Sequence, residues 1–152
     1  KSNGDAMKIS INALIACFML LPTCAVADDE IALFDGKGKA SAYVSLEDEL
    51  TIFLWSGKPV AYLDRDSAGG YHVYGFNGKH LGWFVGGVIR DREGNAACAT
   101  KERMRSTQFE PFKSFKQFKP FKAFKEFAPF RPFFTTSWSE SPCSLLLAEG
   151  GV

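Results

Sequence analysis

Between Ile31 and Lys101 the apolar and polar positions follow one recurring pattern. "LFDGKGKASAYVS", "IFLWSGKPVAYLD" and "VYGFNGKHLGWFV" each pass from an apolar-aromatic run, through a turn ending in Gly-Lys, to a small residue and an aromatic. "VIRDREGNAACAT" is a fourth, degenerate copy. The turn glycines are Gly38, Gly57, Gly78 and Gly94, and the small residues four positions later are Ala42, Ala61, Gly82 and Cys98. Tyr43, Tyr62, Trp83 and Ala99 come next. Each unit has room for two short strands and a tight turn, and glycine supplies the positive φ that hairpin turns require. A lone hairpin cannot bury its own apolar face, so four copies predict a compact radial or stacked array. Phe34, Phe53, Tyr74, Tyr43, Tyr62 and Trp83 are its expected core, with the small residues where backbones crowd near a shared axis.

A different pattern follows. Phenylalanine occupies every third position from Phe109 to Phe133. An α-helix drifts by about 60° every three residues and would spread these rings around its cylinder. Pro111, Pro120, Pro129 and Pro132 would also break it, at about 3 kcal/mol each. A strand has period two and would alternate the rings between faces. A polyproline II helix, with three residues per turn and a rise of about 3.1 Å, puts every phenylalanine on one edge. A second edge then carries Glu110, Lys113, Lys116, Lys119, Lys122, Lys125, Ala128 and Arg131. The third carries Pro111, Ser114, Gln117, Pro120, Ala123, Glu126, Pro129 and Pro132. Fully exposed, the rings would form an apolar strip of a kind soluble monomers avoid. The expectation is therefore that part of the rod wraps the hairpin array and drops one phenylalanine onto each hairpin, the remainder meeting a partner or a second chain.

Charge divides the chain at the same place. Residues 28–99 hold 7 basic and 11 acidic side chains, whereas residues 101–131 hold 9 and 3. Upstream, Met7-Lys8, the apolar run Ile9–Leu21 and "AVA" at 25–27 read as a signal peptide cleaved near Ala27. Cys24 in "LPTC" is the alternative, a lipidated residue. Processing would leave a formally neutral chain with only Cys98 and Cys143. In an extracytoplasmic compartment, periplasmic or secreted, these are candidates for a disulfide, with two separately buried thiols as the alternative. The expected organisation is an upstream extension and signal peptide over 1–27, a β-hairpin repeat domain over 28–105, a period-three segment over 106–134 and a C-terminal segment over 135–152.

The hairpin array, with "FNGKHLGWFVGGVIRDREG" as its best copy, followed by a period-three tail and "PFFTTSWS", resembles the bacterial 4-fold β-flower domain. The resemblance covers roughly residues 31–139. It implies an all-β fold of four hairpins, an exported protein and no assigned activity. Gly82-Trp83 also resembles cell-wall-binding repeats, which would make Tyr43, Tyr62 and Trp83 candidate ligand-binding aromatics.

Catalytic chemistry finds little footing. His72 and His80 could approach across a hairpin and hold a metal, but no carboxylate or cysteine is spaced to complete such a site, so no metal or other cofactor is expected. No nucleophile elbow, phosphate loop, HExxH or CxxC occurs. Asp64, Asp66 and Asp91 read as solvated loop residues. The candidate binding surface is the tail: Phe112, Phe115, Phe118, Phe121 and Phe124 with Lys113, Lys116, Lys119, Lys122 and Lys125. Its expected partners are a second copy or another envelope protein, or an anionic lipid or polysaccharide that the lysines would contact. Export argues against nucleic acid.

Overall fold

The repeats build a closed barrel. In the computed structural model, which describes residues 29–152, eight antiparallel strands pair in sequence order and the last closes on the first. They are β1 (Glu30–Phe34), β2 (Ala40–Ser45), β3 (Thr51–Leu54), β4 (Pro59–Arg65), β5 (Tyr71–Gly75), β6 (His80–Val85), β7 (Val88–Arg90) and β8 (Ala96–Ala99). A 3-10 turn (Lys101–Arg103) follows, then a long extended segment and a short helix α1 (Cys143–Ala148). The expected leader lies outside the described residues.

Each repeat is one hairpin with the same irregularity. The register slips by one residue between Leu33 and Phe34, Ile52 and Phe53, Val73 and Tyr74, and Ile89 and Arg90. The turns also match: in the second hairpin Leu54 N–H donates to Lys58 O and Gly57 N–H to Leu54 O, both at 2.8 Å. Gly57 has φ +82° there, a conformation that β-carbons oppose. Asp35 and Asp91 brace their turns by accepting backbone N–H bonds two and four residues on.

Size complementarity explains the recurring small residue. Leu33 lies opposite Ala42, Ile52 opposite Ala61, Val73 opposite Gly82 and Ile89 opposite Cys98. An eight-stranded barrel is just wide enough for side chains to fill, so each hairpin contributes one large and one small residue. Leu33, Val44, Ile52, Leu63, Val73 and Ile89 form the interior, which Cys143, Leu146 and Leu147 of α1 join. Cys98 and Cys143 are joined by a disulfide with Cα atoms 5.0 Å apart, fastening α1 to the barrel.

The aromatics expected as core are buried, but they sit on the outer wall. Alternation along the strands puts Tyr43 and Phe53 on the face opposite Val44 and Ile52, and Tyr62 and Tyr74 form a separate cluster with Phe76. Burial on an outer wall requires a cover, and the extended tail provides it.

Candidate functional site

The tail is a strap that visits the four hairpin turns in order. Gln108 N–H donates to Gly38 O at 2.8 Å, Gln117 to Gly57 O at 2.9 Å, Glu126 to Gly78 O at 3.0 Å and Thr135 to Gly94 O at 3.1 Å. The donors are nine residues apart, and each acceptor is the repeat's turn glycine. Ser114 and Ala123 add bonds to Trp55 O and Phe76 O. Pro111, Pro120 and Pro129 fall nine apart as well, at positions where no turn carbonyl is bonded. A residue without an N–H is thus placed where that donor has no partner in the protein. This longer period could have been read from the prolines alone, and it was the missed signal for the strap's register.

Lysine, not phenylalanine, faces the barrel. Lys113 Nζ lies 4.7 Å from the Tyr43 ring centroid and 5.2 Å from that of Trp55. Lys122 Nζ is 4.4 Å from Tyr62 and Lys125 Nζ 5.4 Å from Tyr74. Such cations gain from the negative ring face and cover it with their alkyl stems. Their heads then reach carboxylates beyond the aromatics: Lys113 and Lys116 to Glu30 at 2.5 and 2.9 Å, Lys116 to Asp48 at 2.9 Å, and Lys125 to Asp64 at 2.6 Å. Lys119 and Lys122 approach Glu49 at 3.5 and 3.6 Å, and Arg131 pairs with Asp66. The acidic first block and basic second block are two halves of one intramolecular contact.

The electrostatics follow. Burial opposes ionisation of Glu30, but Lys113 and Lys116 outweigh it and hold the carboxyl below its usual range. Hydrogen bonds from Lys116 and Ser45 lower Asp48. Burial would depress the Lys116 ammonium, yet Asp48 and Glu30 raise it overall. Burial pushes the phenols of Tyr43, Tyr62 and Tyr74 up. The Trp55 indole N–H donates to Pro111 O at 2.9 Å and the Tyr74 hydroxyl to Glu126 O at 3.0 Å, so outer-wall aromatics also hold the strap backbone.

Several expectations are corrected. The strap does wrap the barrel, but no phenylalanine of the period-three row docks on a hairpin; only Phe134, outside that row, packs against Arg90. Phe112, Phe115, Phe118, Phe121 and Phe124 are 98–102% exposed, and across Phe109 to Phe133 no ring falls below 90%. The physical reason is that the strap's N–H groups and ammonium heads have specific partners on the barrel. Satisfying them turns the phenylalanine edge outward. Tyr43, Tyr62 and Trp83 are buried and cannot present ligand-binding faces. Asp66 and Asp91 are buried rather than solvated.

His72 and His80 meet across β5 and β6, with Nδ1 of His72 3.1 Å from Nε2 of His80. Asp66 Oδ1 lies 3.7 Å from His72 Nε2. The three form a line rather than converging on a point, and no group of three or more ligating side chains gathers among the described residues. His80 is fully buried against Tyr74 and Trp83, and burial, with His72 and Arg92 nearby, pushes its pKa down to about 4.

Comparison with known protein families matches residues 31–147 to the family described as "4-fold beta flower protein". The chain belongs to that family. The four equivalent hairpins of this beta flower protein are thereby explained, and the matched span takes in the strap and most of α1. No curated protein and no solved structure matches it. "SWS" closes the array: Ala96 N–H donates to Ser137 O at 2.9 Å and Ser139 N–H to Ala96 O at 2.7 Å. The Trp138 ring packs on Gly36, where an added β-carbon would meet it at 2.9 Å. Hairpins one and four are bridged across the β1–β8 seam, which the strands pair through Phe34 and Ala99 alone.

Proposed function

We propose that this beta flower protein is an exported, non-enzymatic binding or structural module of the bacterial cell envelope, and that it works through the phenylalanine edge of its strap. One observation carries the reading: phenylalanine persists at every third position from Phe109 to Phe133 although every ring is almost fully exposed. Nine exposed rings of about 150–250 Å² each make a strip well beyond the few hundred Å² typical of a soluble monomer's apolar patch. The strap lies in polyproline II conformation, a reading supported by contacts that recur only at multiples of three residues. Export is the reading of the leader, and the Cys98–Cys143 bridge suits an oxidising compartment.

The test is fractionation of cells expressing the protein and a variant with all nine phenylalanines from Phe109 to Phe133 changed to serine. The native chain is expected in the envelope fraction at low and high salt, with the variant released and equally thermostable. Retention of the variant would refute the phenylalanine edge as the working surface.

The second reading, attachment to an anionic lipid or polysaccharide through Lys113 to Lys125, loses ground because those ammonium groups are directed to Glu30, Asp48, Glu49 and Asp64. It requires binding that weakens as salt rises. Co-sedimentation with anionic vesicles at two salt concentrations distinguishes the two.

A further inference from the structure

We propose that the partner of the phenylalanine edge is the same edge on a second copy of this chain, the two straps meeting as interlocked rows of rings. The proposal rests on the reading of that edge as the working surface and names its occupant.

Self-complementarity is the first argument. On a polyproline II edge, successive phenylalanines stand about 9.3 Å apart. A ring from an opposing strap that enters midway lies roughly 4.7 Å from its neighbours on either side, within the about 4.5–7 Å range of aromatic pairs. The edge is uniform from Phe109 to Phe133, so any arc of it can receive any other arc. A partner of different design would not need that uniformity.

Charge is the second argument. Like-charged straps would repel, but Lys113, Lys116, Lys119, Lys122, Lys125 and Arg131 each pair with a barrel carboxylate. The outward edge is thus apolar and carries no charged residue of its own.

Area and curvature set the form of the assembly. Nine strap residues per hairpin at about 3.1 Å each correspond to a quarter of a circle of radius about 18 Å. A convex belt of that curvature touches a neighbour over about three rings, which at roughly 150–250 Å² each is about 450–750 Å² per side. That falls short of the about 800 Å² per partner of a standard interface. One contact is therefore weak. The belt runs past all four hairpins and offers several such arcs, so association grows by multivalency into larger species rather than stopping at a dimer.

Sedimentation velocity of the purified protein over a wide concentration range tests this, together with a photocrosslinking amino acid at position 118. The expected result is mass that rises with concentration, and strap-to-strap intermolecular crosslinks from position 118. The rise in mass should weaken when Phe115, Phe118 and Phe121 become serine and vanish when all nine strap phenylalanines do, and crosslinks from position 118 should fall when Phe115 and Phe121 are serine, with the thermal midpoint unchanged as the folding control. Leucine at the same positions should weaken association clearly, because it keeps apolarity but removes ring stacking. A monomer at every concentration that sediments with neutral phosphatidylcholine vesicles, and does so equally well with leucine, would overturn self-association while leaving the phenylalanine edge as the working surface. A monomer that binds neither vesicles nor envelope fractions would overturn both.

Discussion

Acid should loosen this barrel before the strap-paired carboxylates Glu30, Asp48 and Asp66 take up protons, and His80 is the reason. Its imidazole is fully buried, edge-on to Tyr74 and Trp83 and 3.1 Å from His72. Burial, then His72 and Arg92, disfavour the charged ring, while Glu126 and Asp66 only partly oppose them, leaving a pKa of about 4 against an ordinary 6.5. A group whose folded value lies below its unfolded value takes up a proton on unfolding. Its contribution to stability is complete above pH 6.5, declines as the pH falls, and is gone below about 4. A shift of that size amounts to about 3 kcal/mol. Glu30, Asp48 and Asp66 act in the same direction, because their folded values are lowered, but only below their ordinary carboxylate range. The two windows are therefore separable. Urea denaturation from pH 7.5 to 4.5 should show stability falling by about 2–3 kcal/mol. His80→Gln should flatten that slope whatever its effect on absolute stability. An imidazole titration by NMR placing His80 near 6.5, or a pH slope that survives His80→Gln, would refute the reasoning.

Three further outcomes are expected. Gly57→Ala combines a positive φ with a β-carbon that would overlap the Phe115 carbonyl oxygen, whereas Gly69→Ala meets nothing within 4 Å. The first should cost about 2–4 kcal/mol and expose strap amides to hydrogen exchange, the second only about 1 kcal/mol; equal losses would mean that the strap does not press on the turn. Pro120→Ala removes a constraint at a position that bonds no turn carbonyl, so chemical denaturation should register a loss of about 0.4–1 kcal/mol, and a gain would contradict the assigned register. Cys98→Ala with Cys143→Ala opens a loop of 45 residues and should lower stability by about 4 kcal/mol, read as an earlier denaturant midpoint.

Much of this architecture is legible in the chain, and the illegible part has a physical cause. Four hairpins follow from the Gly-Lys turns and the alternating small residue, because turn geometry and barrel filling are local demands. The three edges of the tail follow from its period. Which edge faces the barrel does not follow from apolarity, because Phe115 is far more hydrophobic than Lys116 yet points outward. What decides it is hydrogen-bond and charge pairing with Gly57, Glu30 and Asp48, partners named only once the strands have brought them to one surface. The same holds for Tyr43 and Phe53. Their burial is foreseeable, but the wall they face depends on the bulges that set strand register. The approach of His72 to His80 is a product of cross-strand pairing through the His72–Trp83 and Tyr74–His80 register.

The match of nine strap residues to one hairpin also constrains how such a gene can change length. Losing three codons from the strap would keep phenylalanine on its edge, yet shift every later proline and donor out of step with the turns. Losing nine would restore the phase but leave the strap one hairpin short. A beta flower protein that gained or lost a hairpin would need a compensating change of nine codons far downstream. Repeat number and tail length are therefore geometrically one quantity in this chain, and the four-hairpin count is matched by a segment that is not part of any repeat.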